Sequence, residues 1–284
     1  MSPTSIDPIQ KLNDEKGNPI LQLRWREDSA READKLNIKN VNPIGSPFLY
    51  ALSNLGYTQI EMSNLISKSV GNFDWPRENI EQHRYLSELK KILYMPLHTW
   101  DGDVHVHQLP DDSPLFGLKN SKVTALLGFL DFCDPNVRNY YIEMGWNVEC
   151  AGVRSSKITG SPAGSRNKFL YNLHEIMSKH EIIVSNEFTT GLYYAASIGK
   201  KIGILNQSSS HELKYSSWQD RPHFEKRMKL IRDHYDWLIG GSERGAFSDT
   251  VEVALGLRSM RSPEYFRDNI EILEFRSYGE NKVL

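Results

Sequence analysis

The sequence predicts an α/β protein built on parallel, doubly wound sheets. Short, nearly unbroken apolar runs such as "KVTALLGFL" (122–130) and "EIIVS" (181–185) alternate with amphipathic stretches of helical length. Strands covered on both faces read this way, and strand–helix alternation is the pattern of a parallel layer. The boundaries carry matching punctuation: Pro47 and Pro135 open helices, and Gly56 and Gly145 close them. With 284 residues the chain makes one large domain or two modest ones, and 39% hydrophobic with 25% charged residues marks it as globular.

The elements follow in order. Residues 1–18 read as a mobile lead-in. Residues 19–90 form a partial N-terminal α/β domain: strand 20–25, helix 27–38, strand 39–45 and a helix from Pro47 to Gly56, then a less regular stretch over 57–80 and a helix at 82–91. Residues 91–258 form a complete second domain that opens on the strand "ILYMPL" (92–97) and a long polar loop, "HTWDGDVHVHQLPDDSP". Strand 122–130, helix 134–145 with Asp134 as N-cap, strand 146–153, a Ser/Gly-rich loop at 155–167 and helix 168–180 come next. Strand 181–185, helix 189–198 and strand 201–205 complete the series. Beyond it lie helices at 219–234, 245–256 and 262–272, with a short strand at 235–241, and 259–284 is a C-terminal helix and tail.

Several function classes are set aside by composition. A formal net charge of −2 gives no basic footprint for nucleic acid. Two cysteines, Cys133 and Cys150, are too few for a disulfide framework and lack metal-binding spacing. Each reads as a small hydrophobe at the end of a buried strand, in keeping with a cytoplasmic setting. The opening stretch is polar, unlike a signal peptide, and no apolar run is long enough to span a membrane.

In an open parallel sheet, ligands sit beyond the carboxyl ends of the strands. That rule singles out the loops at 45–47, 98–114, 131–135, 153–167 and 185–190. In "VSNEFTTG" (184–191) a strand ends near Ser185 and a helix begins near Thr189. The first-turn amides of a helix have no partners within it, and with the macrodipole they form an anion site. Ser185, Thr189 and Thr190 add hydroxyls, with Asn186 and Glu187 between them. The same residues also serve as ordinary helix caps. Neither GxGxxG nor GxxxxGK[ST] occurs.

In "MPLHTWDGD" (95–103), His98 directly follows a strand. With Asp101 it supplies a candidate general base and its orienting carboxylate, or it contacts a phosphate, with Thr99 beside it in the cleft. Asp101 and Asp103 can hold a divalent cation or simply form an Asp-Gly turn. His105 and His107 share one face of an extended chain but lack a third ligand at a diagnostic spacing, so no bound metal is expected. In "IGSPFLY" (44–50), Gly45 allows close backbone approach, and Ser46 caps the helix or touches a ligand. Arg154 is a candidate phosphate partner or a surface arginine. The aromatic-rich stretches "NYYIEMGW" and "GLYYAA" read as core packing.

These phrases carry a resemblance. "VSNEFTTGLYYAASIGKKIGIL" resembles the late strand–helix–strand of the C-terminal domain of GT-B glycosyltransferases, where a polar cluster and the head of the following helix hold the donor diphosphate. "REDSAREADKLNIKNVNPIGSPFLY" is similar to an N-terminal segment of capsule and O-antigen biosynthesis proteins, and "ILYMPLHTWDGD" to the opening strand of the second domain. The resemblance implies Rossmann-like sheets in a GT-B-like arrangement, with a shortened N-terminal domain. It places Ser185, Asn186, Thr189 and Thr190 at the donor phosphates and His98 in the cleft.

The implied activity is transfer of a sugar from a nucleotide-sugar substrate to a saccharide acceptor in surface-polysaccharide synthesis, without a cofactor. Peripheral membrane contact, a partner protein and a homo-oligomer stay open. One alternative is a non-catalytic α/β protein that binds a nucleotide sugar or a partner transferase. Another is a sugar-nucleotide epimerase, with His98, Asp101 and Glu187 as its acids and bases.

Overall fold

A computed structural model describes residues 22–24, 41–71, 76, 78–89, 91–96, 109, 111–118, 122–153, 165–186, 189–205 and 244–268. The chain divides into two compact units, Met1–Tyr57 with Glu252–Leu284, and Thr58–Val251.

The first unit holds two short parallel strands, β1 (Gln22–Arg24) and β2 (Val41–Pro43), and helix α1 (Pro47–Asn54). The turn from β2 into α1 needs its glycine. Gly45 has φ +78°, and a side-chain carbon there would lie 2.9 Å from the Gly256 carbonyl oxygen. Next to it, the Ser46 amide donates to the Leu255 carbonyl at 2.7 Å. Tyr50 locks the same corner: its hydroxyl donates to the Ile44 carbonyl and accepts from the Arg261 amide at 2.9 Å. Leaving bulk water pushes the Tyr50 phenol pKa up, which keeps that donor protonated.

The second unit is built on five parallel strands in the order β5-β4-β3-β6-β7. They are β3 (Ile92–Met95), β4 (Val123–Leu126), β5 (Asn147–Glu149), β6 (Ile182–Ser185) and β7 (Lys201–Ile204). The apolar runs end up buried as expected: Ile92, Leu93, Tyr94, Val123, Ala125 and Ile182 through Val184 are all interior. An α/β protein with a parallel, Rossmann-like sheet is therefore what the sequence forms.

Helices connect and flank these strands: α2 (Gln59–Gly71), α3 (Asn79–Glu88), α4 (Phe129–Cys133), α5 (Pro135–Glu143), α6 (Ser165–Ser178) and α7 (Thr190–Ser197); α8 (Arg244–Leu255) comes later in the chain. Asp134 caps α5 as the sequence suggests, accepting from the Asn136 amide at 2.8 Å. Several elements differ from expectation: β3 ends at Met95 rather than at 97, α3 spans Asn79–Glu88 rather than 82–91, and β5 ends at Glu149 rather than at 153. The stretch taken as a strand to 130 ends at Leu126, because Gly128 starts the short α4. Residues 57–80, expected to be irregular, contain α2, which opens on a capping box: the Thr58 amide donates to Glu61 Oε2 at 2.8 Å, and the Glu61 amide to Thr58 Oγ1 at 3.2 Å.

The aromatic stretch is core, as anticipated. Tyr141 stacks on Trp146 with ring centres 5.7 Å apart, and Tyr94 meets Trp146 edge-on at 5.9 Å. The Trp146 indole donates to the Leu118 carbonyl at 3.3 Å, and the Tyr140 hydroxyl accepts from the Leu109 amide at 2.7 Å. The expected helix 219–234 and strand 235–241 lie outside the described residues.

Candidate functional site

The strand order locates the site. From β3 the chain moves outward through β4 to β5, then crosses back to β6 on the other side of β3 and continues to β7. The winding direction reverses between β3 and β6, and at such a switch point the connections leave in opposite directions and open a crevice. The residues at that edge are Met95, which ends β3, and Ser185, which ends β6, and the two are in register.

Ser185 is fully buried, and its hydroxyl donates to the Met95 carbonyl at 2.7 Å. A serine hydroxyl has one proton, so this bond ties the two strand ends together across the switch point. Asn186 is half-buried just beyond it. Thr189 is the N-cap of α7, with extended backbone (φ −122°, ψ 155°), and its side chain makes no capping bond. Its Oγ1 is buried without a hydrogen-bond partner among the described residues. Thr190, the first helical residue, is exposed, and α7 has no acid in its first turn to offset the positive end of the helix.

Four of the sequence-predicted residues, Ser185, Asn186, Thr189 and Thr190, thus gather at the end of β6 and the head of α7. Gly45 and Ser46 belong to the other unit. There Ser46 is fully buried at the N-cap of α1, its hydroxyl unpaired among the described residues. His98, Thr99, Asp101, Arg154 and Glu187, with Asp103, His105 and His107, lie outside the described residues.

Sequence reasoning missed Met95. Its side chain rests on Gly191 in the first turn of α7: a carbon added at Gly191 would lie 2.0 Å from the Met95 methyl. The only sequence signal was its place immediately before Pro96, inside the run 92–97.

Elsewhere along this edge, the Cys150 thiol accepts from the Gly152 amide at 3.3 Å, and burial pushes its pKa up. It is held as a thiol, the form that is neither nucleophile nor metal ligand. Among the described residues, no group of three His, Cys, Asp or Glu side chains is placed to hold a metal ion, and no helix is long and apolar enough to cross a membrane.

Comparison with protein-family models, curated proteins and solved structures returned no match. The functional reading therefore rests on the geometry and on the motifs.

Proposed function

We propose that the chain binds a nucleotide sugar by its diphosphate at the head of α7 and transfers the sugar to a saccharide acceptor, as a GT-B-like glycosyltransferase of surface-polysaccharide synthesis. The observation that carries the binding half is the coincidence of two features at one point. The switch point of the sheet falls between β3 and β6, and the helix that follows β6 starts there with no acid in its first turn and with a buried threonine hydroxyl that has no partner among the described residues. The phrase around it, "VSNEFTTG", supplies the transfer half through its resemblance to the donor site of that enzyme class.

In this reading each residue has a defined task. The α7 amides with the Thr189 and Thr190 hydroxyls take up the negative charge that builds on the departing diphosphate, which is the main service a site without a bound metal renders to this bond cleavage. Asn186 borders the same pocket of donors. Ser185 holds β6 to β3 so that α7 starts at a fixed point. His98 serves as base with Asp101 orienting it, or contacts a phosphate, with Thr99 in the cleft, and Arg154 and Glu187 contact the donor.

The test is a thermal-shift screen of the full chain against UDP-, GDP-, CMP- and dTDP-sugars. One nucleotide should raise the melting temperature in proportion to the logarithm of its concentration, since a ligand that binds only the folded state stabilises it by mass action. A flat response to all four series removes the reading.

A further inference from the structure

One side chain stands in the way of the α7 head. The position a Gly191 side chain would take is filled by the end of Met95: a carbon there would be 2.0 Å from the Met95 methyl and 3.3 Å from its sulfur. The same point is 3.5 Å from Thr189 Oγ1, so methyl and hydroxyl share one small hollow on the N-terminal side of α7. The hydroxyl is buried and has no partner among the described residues.

The backbone of Met95 is fixed while its side chain is not. Its carbonyl accepts from Ser185, and its strand register with β6 is set. The thioether has three rotatable bonds and is only partly buried, so it can swing out of the hollow without disturbing the sheet. Gly191 fits the same account. A side chain added at Gly191 would meet the Met95 methyl, the far end of a flexible side chain.

We propose that Met95 is the access-determining residue of this site: its thioether covers the head of α7 in the ligand-free chain and moves aside when a phosphate group engages the Thr189 hydroxyl and the first-turn amides. This rests on the diphosphate reading above. Met95 acts by occupying the hollow, so removing it removes the cost of opening. Apparent affinity scales with the fraction of molecules already open.

The experiment uses the full chain carrying ¹³C-methyl methionine, titrated with inorganic pyrophosphate and with UDP, beside calorimetry of the same probes. Met95→Ala identifies the Met95 methyl resonance by its loss, and Met95→Leu does so if the alanine variant does not fold. On the proposal, that resonance moves on addition of pyrophosphate. Met95→Ala then binds pyrophosphate about three- to ten-fold more tightly than the parent chain, and Met95→Leu, branched and less able to turn away, binds more weakly. A Met95 resonance that stays in place while pyrophosphate binds overturns the proposal, as does equal or weaker binding by Met95→Ala. Those outcomes leave the diphosphate reading standing. If neither probe binds either chain, the diphosphate reading fails and takes this proposal with it.

Discussion

The two edges of the five-stranded sheet end in opposite conditions. At the amino edge the helix C-termini are served by lysines of the chain itself. The Lys122 ammonium donates to the Ser87 carbonyl near the end of α3 at 2.8 Å, and that of Lys200 to the Ser178 carbonyl at the end of α6 at 2.7 Å. Both arrangements set a cation on the negative pole of a helix. His180, just before β6, is held at both ring nitrogens: Nδ1 lies 2.7 Å from the Ile176 carbonyl oxygen and Nε2 2.9 Å from Thr124 Oγ1. A carbonyl only accepts, so the proton sits on Nδ1 and the neutral ring accepts from the threonine hydroxyl.

At the carboxyl edge the positive pole of α7 has no acid in its first turn, and a buried threonine hydroxyl has no partner among the described residues. The fold thus answers its own polar groups at one edge and leaves bonding capacity unspent at the other. Buried polar groups in native proteins are normally paired; the exceptions among the described residues are Ser46 Oγ, Asn79 Oδ1, Gln82 Oε1 and Thr189 Oγ1, and Thr189 is the one in the connection that leaves β6.

The largest expected effect is at the satisfied edge. His180→Ala leaves the Ile176 carbonyl and the Thr124 hydroxyl facing a cavity, and should cost about 2–4 kcal/mol in urea denaturation of the full chain. A loss under about 0.5 kcal/mol would mean that this network is not part of the stable core.

Next comes pH. Burial is the main influence on His180 and lowers its pKa below the ordinary imidazole value of 6.5, so the folded chain favours the neutral ring. The unfolded chain takes up the proton first. Stability from this group is therefore full above about pH 6.5 and falls as the pH drops through the folded-state value. His174, also lowered by burial, acts in the same direction. A series of urea midpoints from pH 8 to 5 should decline on the acid side, and His180→Gln should flatten most of that decline. An unchanged slope in that variant would assign it elsewhere.

The smallest effect on stability is expected at the other edge. Thr189→Val removes a hydroxyl that makes no bond among the described residues, so its unfolding free energy from urea denaturation should stay within about 0.5 kcal/mol of the parent, where loss of a working N-cap costs about 1. A larger destabilisation would show that the hydroxyl is satisfied after all, and the contrast between the edges would disappear.

How much of this was legible beforehand differs from element to element. The strands were, because "KVTALLGFL" and "EIIVS" are apolar throughout, as strands covered on both faces must be. Helix α2 was not, although Thr58 and Glu61 spell a capping box: among its described side chains it buries a narrow stripe, Met62, Ile66 and Ser69, while Ile60 lies 74% exposed. The gathering of Ser185, Asn186, Thr189 and Thr190 could be read from six consecutive positions, since local spacing fixes it. The destination of the Ser185 proton could not, because its acceptor is 90 residues away in the chain and reaches it only through the strand order. The same holds for Met95 against Gly191, a contact made by sheet topology with no counterpart in local pattern.

The central claim, that the head of α7 takes the phosphates of a nucleotide sugar, is tested most directly by calorimetry. The full chain and its Thr189→Val/Thr190→Ala variant are titrated with the nucleotide sugar that gives the largest thermal shift. The account predicts binding weakened by about ten-fold or more, as for the loss of hydrogen bonds to a charged ligand, with the urea midpoint unchanged. Equal affinity in the two chains would contradict it.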